Sequence, residues 1–253
     1  MNPTNKLAIA GGWLCFALSA GSVAAAETQV AVAANFSVPA KQLAEKFSQA
    51  TPHKISISLG STGKFYAQIV NGAPFDIFLS ADDETPIRME REKLAVAGSR
   101  FTYAIGKLAL WSASIGLVDS NGDVLRKGAF KRLAIANPKF APYGAAAQQA
   151  MEKLGLWSAV QSKLVLGENI SQAQQFVASG NADLGFVALS QIQDVNKTGG
   201  SHWLVPQILY DPIRQDAVLL PRGTENPAAR AFLDFLRTST ARDLIRTAGY
   251  DLP

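Results

Sequence analysis

Gly60-Ser61-Thr62-Gly63-Lys64 sets two glycines, two hydroxyls and a cation side by side, after the alternating run 53–59 and before a helical pattern. Glycine, hydroxyl and lysine are the ingredients of a phosphate-holding loop, so nucleotide hydrolysis is the first chemistry to weigh. A Walker loop needs Gly-x-x-x-x-Gly-Lys-Ser/Thr, long enough to wrap two phosphates and ending in a hydroxyl that holds magnesium. Here Gly60 and Gly63 stand only three apart, and Phe65 occupies the hydroxyl position. Nucleotide hydrolysis is excluded. What remains is a tight strand-to-helix turn, whose first N–H groups have no carbonyl behind them and lie at the positive end of the helix dipole. With the hydroxyls of Ser61 and Thr62 it can hold a compact anion. The plain alternative is an N-cap, with either hydroxyl satisfying its own helix.

Comparable helix starts recur. Ala34-Asn35 follows the first strand directly, Tyr143-Gly144 opens a later helix, and Glu168-Asn169-Ile170 opens another. All four lie at the carboxyl ends of predicted strands, where open α/β sheets bind ligands. Two belong to each half of the chain, and together they describe a clamp of neutral donors for an oxyanion. Other candidates read as structural. Asp76 and Asp82 form a conceivable acid–base pair, but neither His53 nor His202 is placed beside them by any motif. A hydrolase using Ser61 or Thr62 as nucleophile needs a base within reach, and the sequence places none. Lys64 falls inside the helix after the turn and is expected to be solvated. Trp111, Trp157 and Trp203 sit in apolar surroundings and read as packing or hinge residues.

These starts must be held by strands and helices in alternation. Residues 28–34 read as a buried strand, and 38–50 as a helix with Ala40, Leu43, Ala44 and Phe47 at core spacing. Residues 55–59 and 75–81 supply further strands, completing a βαβαβ unit of parallel sheet. The pattern repeats with strands at 132–136, 162–167 and 183–188. Long extended segments, 100–113 and 210–220, flank this second block and read as crossings between two lobes. The expected fold is α/β: a two-lobe arrangement, each lobe a mainly parallel sheet flanked by helices. Residues 27–108 and 216–253 form lobe one, and 109–215 lobe two.

The amino terminus reads as a cleavable export signal: Lys6, an apolar run, then Ala24 and Ala26 before Glu27. Its apolar stretch is too short and too interrupted by glycine to span a membrane. The chain has a single cysteine, Cys15, inside this segment, so the mature protein carries no disulfide. An exported, cysteine-free chain fits the bacterial periplasm. The net charge of +4 is spread along the sequence and forms no nucleic-acid footprint.

With these features in place, the chain resembles the periplasmic molybdate-binding proteins of molybdate ABC transporters. The most specific match is GAPFDIFLSAD, Gly72 to Asp82; AANF, GSTGKFYAQI, ADLGFVAL and the ending ARDLIRTAGYDLP follow the same family order. The resemblance implies a type II solute-binding fold with one molybdate or tungstate bound as an oxyanion, no direct metal ligand, no cofactor and no enzymatic activity. It also implies a monomer that delivers its ligand to an inner-membrane permease. Carried over by position, the site is Ala34, Asn35, Ser61, Thr62, Tyr143 and Ile170. Asn35 donates through its side-chain amide where some members have serine, Thr62 donates a hydroxyl, and Tyr143 and Ile170 donate backbone N–H groups. A tyrosine hydroxyl used by some members would fall on Ala188, which cannot supply it; Asn35 or water is expected to compensate. Sulfate and phosphate are the alternative anions.

Overall fold

The computed structural model describes residues 24–193 and 199–253. The expected leader, residues 1–26, lies outside the described residues except at its last positions. Among the described residues no helix is long and apolar enough to cross a membrane.

The first lobe opens with β1 (Glu27–Ala33), a 3-10 turn (Ala34–Phe36) and α1 (Ser37–Ala50). Then come β2 (Lys54–Gly60), α2 (Thr62–Val70), β3 (Ile77–Leu79), α3 (Glu84–Arg91) and β4 (Phe101–Gly106). Helix α1 turns Ala40, Leu43 and Phe47 inward, as the spacing requires. The second lobe begins with β5 (Leu108–Ser112), α4 (Asp123–Lys127), β6 (Leu133–Ala136) and α5 (Pro142–Lys153). It continues with α6 (Trp157–Val160), β7 (Leu164–Gly167), α7 (Ile170–Ala178), β8 (Leu184–Ala188), α8 (Leu189–Ile192) and β9 (Ser201–Leu204). The chain returns through β10 (Ile213–Leu219) and closes with α9 (Pro227–Leu236) and α10 (Ser239–Thr247).

Two five-stranded sheets result, ordered β2-β1-β3-β10-β4 and β7-β6-β8-β5-β9. They share one plan. In each, three successive strands run parallel, then one antiparallel strand is inserted beside them. The inserted strand is in each case the one that has just crossed from the other lobe, β10 in the first sheet and β5 in the second. Strand β3 is covered on both faces, which is why Ile77, Phe78 and Leu79 form an unbroken apolar run.

Lys107 alone separates β4 from β5, so the outward crossing is one residue long and Leu108 belongs to the second sheet. The sequence boundary at residue 216 falls inside β10, whose pairing with β4 starts at Ile213. The extended stretch 210–220 contains the whole strand, and nothing in its residue pattern marks where within it the crossing ends. Trp111 and Trp203 pack into the core of the second lobe. The carboxyl ends of β1 and β2 face those of β6 and β7, and the four helix starts meet between the lobes.

Candidate functional site

Residues 33–35, 60–62, 141–143 and 169–170, with Ala81, line a small cavity of about 10 Å³ between the lobes, room for roughly one water. All six residues singled out in the sequence line it, four segments of backbone and two hydroxyls converging on one space. No charged side chain belongs to that wall.

Ser61 is the N-cap of α2, yet its hydroxyl makes no capping bond. The side chain is buried, and Oγ has no hydrogen-bond partner at all. A buried hydroxyl without a partner costs roughly 1–3 kcal/mol, and this one faces a cavity. The N-cap alternative therefore fails for Ser61. Thr62, the next residue, holds its hydroxyl differently. Its Oγ1 accepts the Ala81 N–H at 3.0 Å and lies 3.4 Å from Ser80 Oγ. Ser80 donates its own proton to Asp82 Oδ1 at 3.1 Å, so the Thr62 proton is left for a ligand or for a long bond to Ser80.

The backbone donors follow from which first-turn N–H groups already have acceptors. In α2 the Gly63 N–H donates to Phe140 O of the other lobe at 2.9 Å, leaving the N–H groups of Thr62 and Lys64. In α5 Pro142 has no N–H, and the N–H groups of Gly144 and Ala145 both donate to Ala141 O. The first-turn donor left without an acceptor, among the described residues, is that of Tyr143. In α7 the Asn169 side chain accepts from the Gln172 N–H at 3.0 Å, and Ala173 N donates to Asn169 O, leaving the N–H groups of Ile170 and Ser171. The 3-10 turn presents Ala34 and Asn35, whose carbonyls are taken from outside the turn. Ser171 Oγ donates to Ala34 O at 3.2 Å, and Tyr250 Oη donates to Asn35 O at 2.7 Å.

Two expectations about side chains are corrected. Asn35 lines the cavity, but its amide nitrogen donates to Gln215 Oε1 at 2.8 Å and Tyr250 Oη at 3.1 Å. Both amide hydrogens are paired with neutral, buried protein acceptors, so none is left free toward the cavity in this structure. Ala188 itself is fully buried and donates its N–H to Gln191 Oε1. Lys64 is not simply solvated; Nζ pairs with Glu168 across the lobes at 2.8 Å, both side chains largely exposed. The cation sits at the rim and leaves the interior neutral.

The candidate acids are structural. Asp76, at the amino end of β3, accepts from Gln29 N and Thr28 Oγ1 on β1 and from Asn226 Nδ2 at the start of α9. Asp82 accepts from Thr85 N and Thr85 Oγ1 as well as Ser80. Burial raises its carboxyl above the ordinary carboxylate value, and those hydrogen bonds pull the other way. His53 lies at the amino end of β2, opposite the cavity, and accepts the Ala26 N–H. His202 is on β9, the far edge of the second sheet from β7. Among the described residues no group of histidine, cysteine and acidic side chains could hold a metal ion. Ser61 and Thr62 have no base within reach.

The sequence reading did not find Gln215, Tyr103 and Tyr250, which stand behind the wall. Tyr103 Oη donates to Gln215 Oε1 and Ser80 O, and Gln215 Nε2 donates to Tyr143 Oη at 3.1 Å. Burial pushes the hydroxyls of Tyr103, Tyr143 and Tyr250 well above the ordinary phenol value, so all three remain protonated. The available signal is Arg214-Gln215-Asp216, three consecutive polar residues of which the last two are fully buried in β10.

The family described as bacterial extracellular solute-binding protein matches residues 28–251. A molybdate-binding protein, ModA, of Azotobacter vinelandii is 59% identical over 244 residues, covering 94% of this chain and 97% of the relative. A molybdate-binding protein ModA of Rhodobacter capsulatus is 53% identical over 227 residues, covering 90% and 89%. Among solved structures, a periplasmic molybdate-binding protein of Azotobacter vinelandii superposes with a TM-score of 0.87 at 45% identity, covering 89% of this chain and 99% of that one.

Proposed function

The chain belongs to the bacterial extracellular solute-binding proteins, and from that premise we propose that it binds molybdate, and tungstate, in the cavity between its lobes. It works in the periplasm as a monomer and hands the anion to an inner-membrane ABC permease. It is a carrier rather than an enzyme, a reading supported by relatives that are named as binding proteins. The two relatives identical at 59% and 53% are both named for molybdate.

The observation that carries the reading is the buried Ser61 hydroxyl without a partner, at the meeting point of four helix starts. In the proposed complex Ser61 and Thr62 donate hydroxyls, and Ala34, Asn35, Thr62, Tyr143 and Ile170 donate backbone N–H groups. A buried dianion needs no cation if fixed dipoles and charge-assisted hydrogen bonds replace its hydration. A wall made only of donors favours an anion that carries no proton. Phosphate retains one near neutral pH and needs an acceptor; Asp82, next to the wall residue Ala81, is instead turned to Ser80 and Thr85. Sulfate is smaller, and donors fixed for a larger anion cannot all reach it.

Calorimetric titration with molybdate, tungstate, sulfate and phosphate tests this. Molybdate and tungstate are expected to bind at least about 100-fold more tightly than the others, a difference of ~2.7 kcal/mol. Equal affinity for sulfate would overturn the assignment.

A further inference from the structure

Behind the cavity lies a buried polar cluster that joins the two lobes at two points, Gln215 to Tyr143 and Ser190 to Tyr250 and Asn35 O. Gln215 is fully buried on β10. The ladder to β4 shifts register there: Gln215 is opposite Ala104 and Asp216 is opposite Thr102, so Tyr103 is left unmatched. Irregularities of this kind re-aim side chains and gather beside functional sites. This one brings Tyr103 Oη within 3.1 Å of Gln215 Oε1. The same Oε1 accepts from Asn35 of lobe one at 2.8 Å, while Nε2 donates to Tyr143 of lobe two at 3.1 Å. Asn35 and Tyr143 are both cavity walls. A planar amide has its donor and acceptor in fixed relation, so it sets the distance between those walls.

The chain makes room for this contact at the other crossing. Gly106 ends β4, next to Lys107. A methyl group at position 106 would fall on Tyr143 Oη and lie 2.7 Å from Gln215 Nε2. The glycine is needed for that space.

We propose that Gln215 is a positioning residue, tying the Asn35 turn to the Tyr143 helix start so that donors from opposite lobes meet the anion in register. The proposal rests on the anion-binding reading above. A site built from two bodies loses affinity when its donors drift by more than about 0.5 Å, and Gln215 is the link that bonds the Asn35 side chain and the Tyr143 side chain at once. The Tyr143 phenol, which the sequence reading left without a role, anchors the helix start whose N–H is the proposed ligand.

The test measures molybdate affinity, release rate and selectivity over sulfate for wild type, Gln215→Leu, Tyr143→Phe, their double variant and Gly106→Ala, with the melting temperature of each unliganded protein. Tyr143→Phe is expected to release molybdate about 10-fold faster, the loss expected from one buried hydrogen bond, and Gln215→Leu, which also strands the Asn35 and Tyr103 donors, at least as fast. The double variant is expected to be no worse than Gln215→Leu alone, because the Gln215–Tyr143 bond is already lost there. Gly106→Ala is expected to match them, and the preference for molybdate over sulfate to narrow in all. Wild-type release rates in folded Gln215→Leu, or losses that add in the double variant, would overturn the proposal. So would variants that lower the melting temperature but leave affinity and selectivity unchanged. If Gln215→Leu fails to fold, Tyr143→Phe and Gly106→Ala decide alone. A wild type that does not bind molybdate refutes the functional reading itself, a distinct result.

Discussion

Ser61 and Thr62 are neighbours with opposite commitments, and that difference yields a clean pair of experiments. Ser61 Oγ bonds nothing in the protein. Ser61→Ala should therefore weaken molybdate binding about 10-fold while leaving the unliganded melting temperature unchanged or slightly higher, since a buried unpaired hydroxyl is destabilising. Thr62 Oγ1 accepts the Ala81 N–H. Thr62→Ala should weaken binding by roughly 10- to 100-fold and also lower the melting temperature, because it strands a buried donor. Calorimetry and thermal melts on both variants separate ligand contact from scaffold. The sequence made these residues legible because turn chemistry is local. The hydrogen bonds of the Asn35 side chain are not legible for the converse reason: its partners, Gln215 and Tyr250, lie 180 and 215 residues away. Lys64 shows the same limit. Its ion pair with Glu168 is exposed, so Lys64→Ala should cost only a few-fold in affinity at low salt and still less at 1 M salt, where exposed pairs are screened. A large, salt-independent loss would mean that the ammonium helps hold the anion.

At the scale of elements, the site is a set of helix starts, and each is fixed by a different local device. In α5, proline removes one donor and the tight first turn consumes two more. Gly144 is part of that device: a methyl group there would strike Ala136 O, pushing the helix off β6. In α7 the Asn169 side chain is the device. Asn169→Ala should cost about 1 kcal/mol of stability, as loss of an N-cap does, and should weaken molybdate binding as well because the first turn carrying Ile170 loosens. A variant with lowered stability but wild-type affinity would remove Ile170 from the proposed ligand set. Strand-to-helix order, caps and proline placement were readable from the sequence because each is settled within a few residues. The register shift between β10 and β4 was not, since nothing local in either strand states which residue will go unmatched.

For the whole molecule, a ligand that binds only the folded, closed form stabilises it by mass action, about 2.7 kcal/mol at 100 times its dissociation constant. Molybdate and tungstate should therefore raise the melting temperature strongly and sulfate at the same concentration little, which a thermal shift series measures. The alternating βα pattern and the two extended stretches made a two-lobe architecture legible. The shared strand order of the two sheets was not, because it depends on where each crossing strand inserts. Nor was the degree of contact between the lobes, which rests on bonds such as Gly63 N to Phe140 O.

That last bond supplies a clock. Its proton belongs to one lobe and its acceptor to the other, so deuterium can replace it only in the moments when the lobes part. At pH and temperature where opening is fast and reversible, the exchange rate of that one amide, divided by its unprotected rate, gives the open fraction directly. Read with increasing molybdate, the same proton would report how far each increment of anion slows opening, with no label attached and no residue changed.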